Sequence, residues 1–159
     1  QPNVIVHVAR MVHTPRGSSP AGMVLYQPDP GKPPAVMGFI CPDPKLGAWF
    51  GPGIFAGTPF EKAPALTARI EVHADLPGSV RSRVEAGGHV FEATLSKLGP
   101  LELIHRPAGP LPFAQQGLEA QAAAVRLEVD GKEVALILPE AGLSGGPPAV
   151  WAPAGLYAR

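Results

Sequence analysis

Val125 to Leu138 reads Val-Arg-Leu-Glu-Val-Asp-Gly-Lys-Glu-Val-Ala-Leu-Ile-Leu. Two alternating apolar runs flank Asp130-Gly131. That dipeptide favours the left-handed backbone of a two-residue hairpin turn, so the stretch predicts a β-hairpin. With Asp130 and Gly131 in the loop, Val129 faces Lys132, Leu127 faces Val134 and Val125 faces Leu136. One face then carries Val125, Leu127, Val129, Val134, Leu136 and Leu138, and the other Arg126, Glu128, Glu133 and Ala135. A slip of one residue would move Glu133 and Ala135 to the apolar face, so burial selects this register. Glu128 and Glu133 then sit opposite each other and repel, and Arg126, diagonal to Glu133, offsets this.

The rest of the chain repeats the pattern. Pro (21) and Gly (19) make about a quarter of the 159 residues and are spread between apolar runs, as in many short strands joined by tight turns. The length suits one domain over 1–159. Val4 to Val12 is β-branched with apolar residues on both faces, which predicts a central strand covered on both sides. Thr14 to Gly22 reads as a loop, Met23 to Tyr26 as a short strand, and Ala35 to Cys41 as a buried strand stopped by Pro42. Leu66 to Leu76 alternates as a half-buried strand. A second hairpin turns at Gly87-Gly88, pairing Val84 with Phe91, Val80 with Leu95 and Arg83 with Glu92. Leu101 to His105 is a further strand, followed by a Pro-rich connection from Arg106 to Pro112. Phe113 to Ala124 is the only helix-friendly stretch, limited to two turns by Gly117. The tail from Ala141 to Arg159 is expected to cross an open end of the sheets. The fold expected is all-β: an antiparallel β-sandwich or flattened β-barrel built from hairpins, with at most one short helix.

Net charge is zero and charged residues are 16% of the chain. A nucleic-acid binder needs a basic stripe, which is absent. No apolar run approaches the roughly 20 residues of a membrane span. A lone cysteine, Cys41, excludes an intrachain disulfide and a thiolate-based structural zinc site. The chain opens at Gln1 without methionine, read as a mature secreted or periplasmic protein or a piece of a longer chain, with a cytoplasmic location also open.

Chemistry has few candidate places. His13, His89 and His105 lie at expected strand ends, where general acids and bases are commonly presented, but nothing in the sequence places them together. Met11 and His13 share a strand face about 6.6 Å apart, a soft-metal pair lacking a third ligand, so no metal and no cofactor is expected. The loop holding Arg16 and Ser18 fits an anion or an ordinary turn and is not a P-loop. Leu46 to Phe60 sets Trp49, Phe50, Phe55 and Phe60 among four glycines and two prolines, a density of breakers that argues against helix and strand alike. Such a segment either plugs the core or walls a ligand or partner site.

The leading expectation is a non-catalytic binding module for a small apolar or sugar-like ligand or a protein partner. Its site would use Trp49, Phe50, Phe55 and Phe60 with Arg16. The alternatives are a small barrel isomerase or hydrolase using His13, His89 or His105 with Glu92 or Glu102, and a structural subunit of a larger, oligomeric assembly.

Overall fold

In a computed structural model, residues 3–108, 112–142 and 145–158 are described. The expectations for Gln1, for the middle of the Pro-rich connection (109–111), and for 143, 144 and Arg159 lie outside these residues. The fold is all-β with one helix. Strands are β1 (Val4–Thr14), β2 (Gly17–Tyr26), β3 (Val36–Cys41), β4 (Ala65–Thr67), β5 (Arg69–Asp75), β6 (Ser79–Ala86), β7 (His89–Leu98), β8 (Glu102–Arg106), β9 (Ala114–Val129), β10 (Lys132–Val134) and β11 (Val150–Ala158). Helix α1 spans Pro44–Ile54.

The strands form one curled sheet in the order β4-β3-β2-β1-β11-β9-β7-β6-β5, with β8 and β10 also on β9. Only Ala68 separates β4 from β5, the two ends of this path, so the sheet curves back on itself as a half-barrel. Val24, Val36 and Ile40 from one end meet Ile70, Val84, Phe91, Leu127 and Val129 from the other in the main core. The sheet is mixed rather than purely antiparallel: β1 runs parallel to β11, and β3 parallel to β4. Parallel neighbours need a long crossover. Between β3 and β4 that crossover is α1 and its following turns.

Both expected hairpins hold their register. Val129 pairs with Lys132 and Leu127 with Val134 around Asp130-Gly131. Val84 pairs with Phe91, Arg83 with Glu92 and Val80 with Leu95 around Gly87-Gly88. Asp130 adopts φ 52° and Gly131 φ 74°, the left-handed pair this turn requires. The first hairpin is shorter than expected: β10 stops at Val134, Ala135 to Leu138 form no strand, and Ile137 is 98% exposed. The early loop is also shorter. Pro15 and Arg16 alone turn β1 into β2, so 17–22 is strand. The Leu66–Leu76 strand breaks at Ala68, and its end is exposed at Ala74 and Leu76.

Two expectations are overturned. Phe113 to Ala124 is not helical; from Ala114 it is β9, the longest strand, spanning both halves of the sheet. Its small residues serve close packing: a Cβ on Gly117 would lie 3.0 Å from the Ala154 carbonyl, and Ala120 packs against Trp151. Leu46 to Ile54, set aside as helix-breaking, is most of α1. Asp43 caps it, its Oδ1 accepting from the Lys45 and Leu46 amides at 2.8 and 3.1 Å, with Pro44 in the first turn. Leu46, Gly47, Phe50 and Gly51 form the buried stripe. The glycines let the helix press onto β3, because a Cβ on Gly51 would sit 3.0 Å from Phe39 and one on Gly47 3.1 Å from Cys41.

The tail also does more than cross an open end. As β11 it runs inside the sheet, between β1 and β9. β1 is thereby a central strand, with α1 over one face and the main core against Val4, Val6 and Val8 on the other.

Candidate functional site

The aromatic segment fills the space between α1 and the sheet. Phe50 is 2% exposed and touches Phe39, Phe113 and Tyr157 at ring distances of 5.6, 5.4 and 4.9 Å. Phe60 is also buried and meets Phe55 at 6.2 Å. Trp49 and Phe55 are partly buried. The Arg16 guanidinium lies 4.6 Å from the Trp49 ring centroid, so the β1–β2 turn and the helix do meet. Cys41 is buried, its thiol donating to Ser19 at 3.6 Å.

The three candidate histidines do not converge. His13 Nδ1 lies 2.8 Å from Ser18 Oγ across the β1–β2 pair. His105 faces Gln116 on β9, with a 3.5 Å contact. His89 packs beside Tyr26, at a ring distance of 5.7 Å. Tyr26 is eight residues along β2 from Ser18, roughly 26 Å at 3.3 Å per residue. Strand alternation also separates the proposed acids from their histidines: Glu92 and His89 point to opposite faces of β7, and Glu102 and His105 to opposite faces of β8. His89 Nδ1 instead meets Asp130 Oδ2 at 2.8 Å, tying the two hairpin turns together. The Val90 amide donates to Asp130 at 2.9 Å; this bond, then His89, holds the Asp130 carboxyl below its ordinary range. Among the described residues, no group of three His, Cys, Asp or Glu side chains is placed to hold a metal, and no helix is long and apolar enough to cross a membrane.

The outer face of β5, β6, β7, β9 and β10 is a lattice of charge. Glu71, Arg83, Glu92, Glu128 and Glu133 form one cross-strand row. Arg126 reaches Glu128 at 2.7 Å and Glu133 at 2.9 Å, relieving the expected repulsion. A cleft of about 270 Å³ opens here between Arg81, Glu92, Thr94, Arg126 and Glu128. Its cations and carboxylates largely satisfy each other, which suits a solvated surface.

A different surface has no such account. On β8, β9 and β11, Leu103 faces Leu118, Leu118 faces Ala154, and Leu156 follows Ala154 by two residues. These leucines share the sheet face away from α1, since Leu156 points opposite to Tyr157, which packs on Phe50. Leu103 is 76%, Leu156 50% and Leu118 39% exposed. Beside them runs an exposed cross-strand row: Ser18, His13, Leu156, Gln116 and His105. His13 and His105 therefore share a face but stand three strand spacings apart, roughly 14 Å. Leu101, just before β8, is exposed too.

The edge of this face is β8. Its Glu102 faces Glu119 on β9, where Arg106 binds Glu119 at 3.2 Å and Gln115 at 2.9 Å. A hollow of about 140 Å³ opens beside it, between Pro100, Glu102, Ile104, Glu119, Gln121 and Val150. Among the described residues, β8 pairs with β9 alone.

Sequence reasoning missed the leucine face. Leu103, Leu118 and Leu156 come from three separate strands, and no alternation within one segment shows that they meet. Compared with known proteins, the chain matches no family model, no curated protein and no solved structure.

Proposed function

We propose that this chain is a non-catalytic binding module whose site for a protein partner is the leucine face of β8, β9 and β11. One observation carries the reading: Leu103, Leu118 and Leu156 are contiguous and exposed, with His13, Ser18, Gln116 and His105 beside them. An apolar centre with a polar rim is the anatomy of a protein interface. Fully burying a leucine contributes about 1.5–3 kcal/mol. Three that are partly covered already leave on the order of 3 kcal/mol available to a partner. His13, His89 and His105 stand apart from one another and from Glu92 and Glu102, which favours binding over catalysis.

The test is the double change Leu103→Asp and Leu118→Asp. In a native extract of its host, the wild-type chain is expected to elute in a species well above 16.5 kDa. The variant, with an unchanged melting temperature, is expected at monomer size. A wild-type chain that elutes as a monomer, or a variant that stays in the larger species, contradicts the reading.

A second reading keeps a small-ligand site at Arg16, Trp49 and Phe55. The 4.6 Å contact of Arg16 with Trp49 favours it, because a cation and an aromatic face already converge there. Loss of ligand binding in Trp49→Ala and Phe55→Ala, with the fold intact, is its test.

A further inference from the structure

We propose that the partner on this edge is a second copy of the chain, joined β8 to β8 in antiparallel register about Ile104. This rests on reading the surface around β8 as a protein-docking surface and goes beyond it: edge pairing sets the two leucine faces side by side as one continuous surface and leaves them uncovered.

Exposed strand edges invite pairing, and proteins block it with charge or brevity. β5 carries Arg69, Glu71, His73 and Asp75, and β10 is three residues long with Lys132 and Glu133. β4 is also three residues long. β8 has five residues, one of them the 76% exposed Leu103. Of these four edges it alone carries a largely exposed leucine, set between Glu102 and the His105-Arg106 pair.

Its sequence, Glu102-Leu103-Ile104-His105-Arg106, is charge-complementary to itself. A two-fold axis normal to an antiparallel pair passes between one residue and its own copy. With Ile104 on the axis, Glu102 of each chain lies opposite Arg106 of the other, and Leu103 lies opposite His105. Centring on Leu103 sets Glu102 against Ile104 instead. Centring on His105 sets Arg106 against Ile104. Only the Ile104 register pairs both charges. It also answers a need within the chain, because Glu102 faces Glu119 and has no ion partner among the described residues. Arg106 of the second copy supplies that cation. The joined strands extend the leucine face across the axis, so each copy completes the other's apolar surface.

Charge exchange tests the register. The wild-type chain is expected to show a concentration-dependent dimer of twice 16.5 kDa by light scattering. Glu102→Arg places Arg against Arg at both contacts, and Arg106→Glu places Glu against Glu, so each variant alone is expected to be monomeric. Mixed, the two variants make both contacts attractive, and the dimer is expected to return. Arg106 also supports Glu119, so a variant that keeps it gives an independent reading. Ile104→Cys faces its own copy and is expected to give a covalent dimer on oxidation, while Leu103→Cys and His105→Cys do not; Cys41 is buried and silent. A wild-type chain monomeric at all concentrations overturns the proposal, as does a folded mixture that stays monomeric or cross-linking through Leu103→Cys instead. Should any of these occur while the larger species in extract still depends on Leu103 and Leu118, the leucine face stands as a docking surface and the β8 edge does not join a second copy.

Discussion

The guanidinium of Arg16 rests 4.6 Å from the ring centroid of Trp49. Arg16 sits in the two-residue turn between β1 and β2, whose Thr14 hydroxyl accepts from the Arg16 amide at 3.1 Å and donates to the Gly17 carbonyl at 3.0 Å. Trp49 sits on α1, stacked on Phe50 and edge-on to Phe113. The contact therefore pins a turn to the helix that covers the sheet. Trp49→Ala is expected to lower stability by about 2–3 kcal/mol, because it opens a void over Phe50 and Phe113. Arg16→Ala is expected to cost under about 1 kcal/mol. Urea unfolding of both variants checks the ranking.

Gly51→Ala sets two effects against each other. Alanine is favoured over glycine in a helix by about 1 kcal/mol. The added Cβ would lie 3.0 Å from Phe39 Cβ and Cγ, inside a packed interface, which typically costs about 1–3 kcal/mol. Packing is expected to win, so the variant melts below the wild type. A higher melting temperature would show that α1 is free to shift off β3.

The same glycines explain why α1 was hidden in the sequence while the hairpins were not. Asp130-Gly131 and Gly87-Gly88 announce their turns locally, and alternation fixes the pairing around them. In α1, two of the four residues in the buried stripe are glycines, chosen for closeness to Phe39 and Cys41 on another strand. That reason lies outside the segment, and the Asp43-Pro44 cap was the one local sign of it. The alanines of β9 mislead in the opposite direction: their helix propensity is overridden by neighbours on both edges. Of the candidate site residues, the Arg16–Trp49 meeting was expected, whereas the leucine face depends on strand order, which alternation does not encode.

Asp130 ties stability to acid pH. The Val90 amide and His89 favour its charged form, so its folded pKa lies below the unfolded value. A depressed carboxyl contributes stability above the unfolded pKa and loses it as pH falls through the folded one. Asp130→Asn, which tolerates the left-handed backbone at this position, is expected to flatten that acid limb while leaving the turn in place. Melting temperatures from pH 7 down to pH 2 check it; parallel curves for the two proteins would contradict it.

Tyr157 acts at the other end of the scale. Burial beside Phe50 pushes its phenol up to about 12, with Arg106 opposing the shift. The folded state thus favours the neutral ring, and the stability this contributes is present below about pH 10 and lost as pH rises toward 12. Ultraviolet titration of phenolate absorbance, compared between wild type and Tyr157→Phe, should show one tyrosine ionising near pH 12 that the variant lacks. If the missing ionisation lies near the ordinary phenol value, Tyr157 is open to water.

Contact of the leucine face with protein is read directly by a photo-reactive residue placed on it. With p-benzoylphenylalanine at Leu118, irradiation of living host cells is expected to give a covalent protein adduct. The same residue at Arg81, on the charged outer face, is expected to give none. An empty lane for Leu118, or equal adducts from both positions, contradicts the account.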